Sequence, residues 1–286
     1  MGRIGVLVVA LVLAAAVAAP ADGSAAPRDP RLQRVGSFAF AIGDGALRGD
    51  YLRRLGPFDL VVVDGSEARA RQVRVLRARR KLVLAYLSVG TVERYRSWYR
   101  SARRYRLDLW GDWGEWYADT SRAGFRRLIV RRVAPRILRK GFDGLFLDNV
   151  DMIGEHPRQR PGMHRLVAGL GRLAHRRGGL LFAQNGESVI GPSWRHLDGW
   201  NREDVSRTYS FRRKRYVAVR PSEHRAAVRA LRRVASRGLL VTATDYVLPG
   251  DTRARDAAVA AACAAGALPY VSDIELRRPL SSGRCR

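Results

Sequence analysis

The sequence has little cysteine, little lysine and a single long apolar run, and each scarcity excludes something. Its two cysteines, Cys263 and Cys285, stand apart and form no zinc-finger or dithiol motif. The five histidines, His156, His164, His175, His196 and His224, lack the pairing of a zinc site. No glycine-rich nucleotide loop follows a strand-like run, and Asn185-Gly186-Glu187-Ser188 is not a nucleophile elbow. No cofactor and no metal are therefore expected. A divalent cation held by carboxylates is the competing use of the acidic residues, but no ligand spacing points to one.

Lysine occurs only at Lys81, Lys140 and Lys214, so the net charge of +27 is almost all arginine. The arginines are spread over most helix-like segments rather than gathered in a tract. That is a compositional bias toward Arg and Ala, and specific nucleic-acid binding is not expected. Weak adsorption to anionic cell-wall polymers is the modest consequence.

The apolar run is Ile4–Ala19, preceded by Arg3 and followed by Ala19-Pro20-Ala21. It has the layout of a secretory signal and falls short of the ~20 residues of a membrane span. Residues 1–21 are thus expected to be a signal peptide and 22–33 a flexible lead-in. Residues 34–286 then form one domain, secreted or in the cell envelope, with no transmembrane segment after cleavage. Export permits a Cys263–Cys285 bridge, and the sequence leaves its formation open.

What remains has a clear rhythm. Eight short apolar runs read as strands: 37–42, 58–63, 82–89, 145–147, 180–183, 197–201, 239–244 and 268–271. Helix-like segments lie between them, at 46–55, 67–80, 122–140, 163–177, 222–237 and 256–265. Pro135 is expected to kink or break the third, and Ser222 to cap the fifth with Glu223 in its first turn. Eight alternating units in a chain of this length predict an α/β fold, a single (β/α)8 barrel. Residues 91–120 break the rhythm. They read as a long loop dense in Tyr and Trp, whose rings could stack on sugars or pack a small core of their own.

The stretch Gly141–Asp151 carries the most chemistry. A buried-looking Leu145-Phe146-Leu147 ends in Asp148, Asn149 and Asp151. A carboxylate there is costly unless it is paired or opens to a cleft, and barrel strands place catalysis at their C-terminal ends. Carboxylates recur at other strand ends: Asp64, Glu187, Glu203, Asp245 and Asp273. If the barrel closes, they gather on one face. Two carboxyls, one acid and one nucleophile or base, are what glycoside hydrolysis needs.

Six motifs in order resemble glycoside hydrolase family 114. They are Tyr86-Leu87-Ser88-Val89-Gly90, Gly114–Asp119, Gly141–Asp151, Gln184-Asn185-Gly186, Asp198-Gly199 and Leu268–Asp273. The resemblance implies a barrel that hydrolyses an internal α-glycosidic bond in a hexosamine polymer, as endo-α-1,4-polygalactosaminidases do. It places the nucleophile-like aspartate on Asp148 and the second carboxylate on Glu203. Asp64, Tyr86, Ser88, Asn149, Asp151, Gln184, Asn185, Asp245, Tyr246 and Asp273 would position the sugar.

The chain departs from the family pattern at two places. Thr91 stands where the family often has Glu, and Trp200-Asn201-Arg202 interrupts an otherwise apolar sixth strand. Arg202, if paired with Glu203, would lower its pKa, leaving Asp204 as a substitute acid. A non-catalytic glycan-binding barrel is the alternative these departures raise. A galactosamine polymer is cationic, so the positive protein repels it at long range, and a neutral or anionic glycan is the other candidate substrate.

Overall fold

The computed structural model describes residues 26–78, 81–188 and 190–285. The expected signal peptide lies outside the described residues. In chain order the strands are β1 (Phe38–Ala41), β2 (Leu60–Asp64), β3 (Leu82–Ser88), β4 (Thr91–Val92), β5 (Arg106–Trp110) and β6 (Glu115–Ala118). There follow β7 (Gly144–Asp148), β8 (Leu180–Gln184), β9 (Gly199–Glu203), β10 (Arg207–Ser210), β11 (Arg215–Ala218), β12 (Leu240–Tyr246) and β13 (Leu268–Ser272).

Eight of these form one sheet in the order β1-β2-β3-β7-β8-β9-β12-β13. Every hydrogen-bonded pair in it is parallel. These are the eight expected strands, each starting and ending within two residues of its expected place. The sheet curls until the Phe38 ring of β1 meets Tyr270 of β13 edge-on at 5.9 Å. The C-terminal tail lies along this seam. Leu280 N donates to Val271 O (2.8 Å), and Phe38 N donates to Gly283 O (3.2 Å). Gly283 has φ +66, and a Cβ there would fall 2.4 Å from Phe38 O, so the approach requires glycine. A Cys263–Cys285 disulfide pins the tail to the helix Thr252–Ala264. Inside the barrel Phe40 packs on Phe146 at 4.9 Å, and Phe146 on Phe182 at 6.5 Å. Fully buried apolar side chains of this kind form the floor under the site.

Three local expectations are corrected, and one element not expected from the sequence is added. Residues 91–120 are not a loop alone: β4, β6 and β5 make a three-stranded antiparallel sheet there. A second insertion, the hairpin β10–β11, follows the sixth barrel strand. Pro135 does not break its helix. The chain runs Ala123–Leu128, a π-helical turn at Ile129–Val133, then Ala134–Leu138, so Pro135 sits where the wider turn has already loosened the backbone bonding. Ser222 is not the cap of its helix; Arg220 is, with Pro221 as first helical residue, a position where the missing N–H costs nothing.

Candidate active site

Asp148 is the last residue of β7, two positions beyond the buried Phe146 and on the same inward face. Its carboxylate accepts three hydrogen bonds. Tyr86 OH donates to Oδ2 (2.6 Å), while Asn149 N (2.7 Å) and Gln184 Nε2 (3.0 Å) donate to Oδ1. The Gln184 amide is itself fixed. Asn201 Nδ2 donates to its Oε1 (2.8 Å), and Thr242 and Thr244 hydroxyls donate to Asn201 Oδ1 (2.7 and 3.2 Å). Thr242 and Asn201 are fully buried, so this chain of donors holds Gln184 with its N–H toward Asp148. Burial pushes the Asp148 carboxyl above its usual range, and the Tyr86 and Asn149 bonds pull the other way.

Glu203 is the last residue of β9. Asn185 Nδ2 donates to its Oε2 (2.9 Å), and Tyr246 OH donates to its Oε1. Burial, then the charges of Asp148 and Asp204, push Glu203 up to about 8. Arg202 turns away from it, reaching Asn185 Oδ1 at 3.4 Å, so the feared pairing of Arg202 with Glu203 does not occur. Asp204 belongs to a different network. Its carboxyl bonds Thr208 and is raised chiefly by burial.

The two carboxylates thus lie on β7 and β9, either side of β8, whose Gln184 and the following Asn185 touch one each. Each of the three strands is followed within one residue by a left-handed backbone: Asn149 (φ 57), Asn185 (φ 54) and Asp204 (φ 55). Such conformations are uncommon outside glycine and concentrate at functional sites. Gly90 makes room for the first, since a Cβ there would fall 1.8 Å from Asn149 O.

Other expected residues divide in two. Asp151 joins the centre: burial and then the Asp148 charge push it up to about 7. Ser88 supports it from beneath, fully buried and accepting from Asn149 Nδ2 (2.9 Å). Asp64, Asp245, Asp273 and Glu187 do not join the pair. Asp64 borders a cavity of about 790 Å³, but its Oδ2 is held by Arg96 Nη1 (2.6 Å) and its Oδ1 accepts from Ser66 N and Glu67 N. Asp245 is buried and accepts from Ser206 N, Ser206 Oγ and Arg207 N, rooting the β10–β11 hairpin. Asp273 braces the turn after β13. Glu187 is bonded to none of them among the described residues.

Three residues escaped the sequence. Glu93 and Arg96 form a buried bidentate pair, Nε–Oε2 and Nη2–Oε1 both 2.6 Å, behind Asp64. Glu115, from the inserted sheet, is pushed up to about 7 by burial, then by Glu93, with Asp148 contributing and Thr91 opposing by a hydrogen bond. Thr91 therefore does not leave the site short of a carboxyl; Glu115 is delivered from β6, whose Tyr117 pairs with Thr91.

A barrel whose strand ends hold two inward carboxyls, one accepting three hydrogen bonds and the other raised to about 8, has the layout of a glycosidase. Residues 17–285 match the model of "Glycoside-hydrolase family GH114". The chain belongs to glycoside hydrolase family 114. No curated protein matches its sequence. Among solved structures, the glycoside hydrolase domain of PelA from Pseudomonas aeruginosa is 24% identical with TM-score 0.72, over 86% of this chain and 98% of that one. Aspergillus fumigatus Ega3, in complex with galactosamine, is 17% identical with TM-score 0.67, over 92% and 100%. An α-galactosidase from Thermus thermophilus shares the barrel more distantly, 14% identical with TM-score 0.57, over 84% and 58%. At these identities the three structures speak for the fold. The family 114 barrel is the architecture expected from the sequence.

Proposed function

We propose that this family 114 protein is a secreted, endo-acting glycosidase that cuts α-linked hexosamine-containing polysaccharide. The observation that carries the reading is the contrast between Asp148, whose carboxylate accepts three hydrogen bonds, and Glu203, pushed up to about 8. At neutral pH Glu203 holds a proton. It gives that proton to the leaving glycosidic oxygen as the anomeric C–O bond breaks; the Asp148 carboxylate, held by its three donors, attacks the anomeric carbon or takes a proton from the water that does, and water supplies the hydroxyl of the new reducing end. Tyr86, Gln184 and Asn149 steady the Asp148 charge as it is used. Asn185 and Tyr246 aim the Glu203 carboxyl.

The substrate follows from the charges at the centre. Asp148, Asp151 and Glu115 surround it, and an amino sugar's ammonium would stabilise their ionised forms while Glu203 keeps its proton for the leaving oxygen. Ega3, a fold relative, was crystallised with galactosamine, which supports the same choice. The overall charge of +27 does not prevent capture, because its field is screened beyond about 8–10 Å in salt while the local acidic cluster is not. The test is incubation with partially N-acetylated α-1,4-galactosamine polymer, followed by sizing of the products. Early oligosaccharides with a fast fall in chain length are expected. Monosaccharide released alone would overturn the endo mode, and an intact polymer would overturn the activity.

A further inference from the structure

A row of aromatic rings crosses the mouth of the barrel, and the mechanism above uses none of it. Tyr117 of β6 packs on His156 at 4.5 Å and stacks on Trp110 of β5 at 5.7 Å with planes 13° apart. Trp110 meets Trp113 at 6.4 Å. Trp113, 45% exposed, meets Phe211 at the tip of the β10–β11 hairpin at 5.1 Å. The hairpin's Tyr216 accepts from Ile274 N (3.2 Å), which ties its far side to the loop after β13. Two insertions, rooted after the third and sixth barrel strands, thus touch through the exposed Trp113 and the half-buried Phe211. The strap they form stands beside the carboxylates: Ala118, next to Tyr117, donates its N–H to Gly90 O (2.8 Å), and the neighbouring Val89 N donates to Asp148 O (3.1 Å).

The strap's charge is opposite to the centre's. Phe211 is followed by Arg212, Arg213, Lys214 and Arg215, all exposed. None of the four is in a salt bridge with any described residue. An exposed aromatic face takes the apolar face of a sugar ring whatever the ring's charge. Four unpaired cations beside it do discriminate, since they repel an ammonium and leave a neutral unit unaffected.

We propose that the Trp113–Phe211 strap with its basic tip is a second sugar-binding surface that accepts uncharged N-acetylated or anionic units and rejects free amino sugars, so that the protein reads an acetylation pattern: a free amine over the carboxylates, a neutral unit on the strap. The proposal rests on the hexosamine-polymer reading above. It makes a mixed polymer the preferred substrate and a fully deacetylated one a poor substrate.

The experiment compares kcat/KM on half-acetylated and fully deacetylated α-1,4-galactosamine polymers. The proteins are the wild type, Trp113→Ala, and a tip variant carrying Arg212→Gln, Arg213→Gln, Lys214→Gln and Arg215→Gln. The wild type is expected to prefer the half-acetylated polymer, and the tip variant to narrow that preference by roughly threefold to tenfold, as removal of exposed like charges implies. Added salt is expected to narrow it in the wild type as well, and Trp113→Ala to raise KM on both polymers. An unchanged preference in the tip variant, or an unchanged KM in Trp113→Ala, overturns the proposal. If the wild type cleaves neither polymer, the hydrolytic reading fails by itself. The strap is then tested by tryptophan-fluorescence binding of the same two polymers: a preference that the tip variant loses supports it, and equal binding of both polymers by the wild type overturns it.

Discussion

Asn185 holds Glu203 twice: its amide donates to Glu203 Oε2 at 2.9 Å, and its Oδ1 accepts from Glu203 N at 3.0 Å. One side chain thus fixes both the backbone and the carboxyl of the proposed acid. Asn185 also carries a left-handed backbone, so the amide's position is set by the turn after β8. Asn185→Ala is expected to lower kcat by about 10- to 100-fold, the range for a misplaced catalytic group. It should cost only about 1–2 kcal/mol of stability. Kinetics and a urea melt on the same preparation check this, and a stability loss without a kcat loss would refute it.

Tyr86 and Tyr246 should set the two limbs of the pH profile. Each donates to one carboxylate and thereby favours its charged form. Tyr86→Phe removes that help from Asp148, so its pKa rises and the acid limb of kcat/KM moves to higher pH. Tyr246→Phe raises Glu203 from about 8, so the alkaline limb moves to higher pH. One variant narrows the active range and the other extends it. Movement of the same limb in both would contradict the role assignment.

Stability should depend on pH through the same groups. Asp245, Asp151, Glu115 and Glu203 are raised to about 6, 7, 7 and 8, burial being the largest cause in each. Their folded pKa values exceed the unfolded ones, so the folded chain binds more protons between about pH 4.5 and pH 8. Stability they contribute is present below that window and is lost as pH rises through it. Glu203→Gln, which mimics the protonated form, should match the wild type near pH 5. At pH 9 it should exceed the wild type by about 1–3 kcal/mol, allowing for solvent at the open cleft. Thermal melts of the two proteins across pH check the difference, in which the large background charge cancels.

Arg96 stands between Asp64 and Glu93, with all three side chains under a tenth exposed. Removing the cation leaves two buried carboxylates facing each other. Arg96→Met is expected to cost about 3–5 kcal/mol, the cost of breaking a buried pair from one side. A surface pair such as Arg220–Glu223 should cost far less when broken, because solvent screens both charges. Parallel urea titrations compare them.

The barrel was legible in the sequence because buried parallel strands are written as short apolar runs, and the register of acidic residues at their ends is local. That register marked Asp148 and Glu203 as strand-end carboxylates, and the resemblance to family 114 gave them their expected roles. Asp245 and Asp64 carry the same signature but serve the hairpin and Arg96, which only tertiary contact decides. The Gln184–Asn201–Thr242 chain joins three strands and has no local pattern. Asn201 read instead as an interruption of the sixth strand. The β10–β11 hairpin did leave a trace. Arg207-Thr208-Tyr209 and Arg215-Tyr216-Val217 flank a basic turn with strand-forming residues, but the arginine bias hides their alternation. Glu115 was visible only as part of a motif, because its approach to Asp148 depends on the fold of the inserted sheet.

The most direct measurement is reducing-end release from partially N-acetylated galactosamine polymer by the wild type, Asp148→Asn and Glu203→Gln, each confirmed as folded by its melting curve. Both variants keep the shape of the site and remove one proton-transfer or charge function. The account predicts that each lowers the rate by at least about 100-fold, the minimum for loss of a general acid or a nucleophile. Wild-type rates in Asp148→Asn would contradict it.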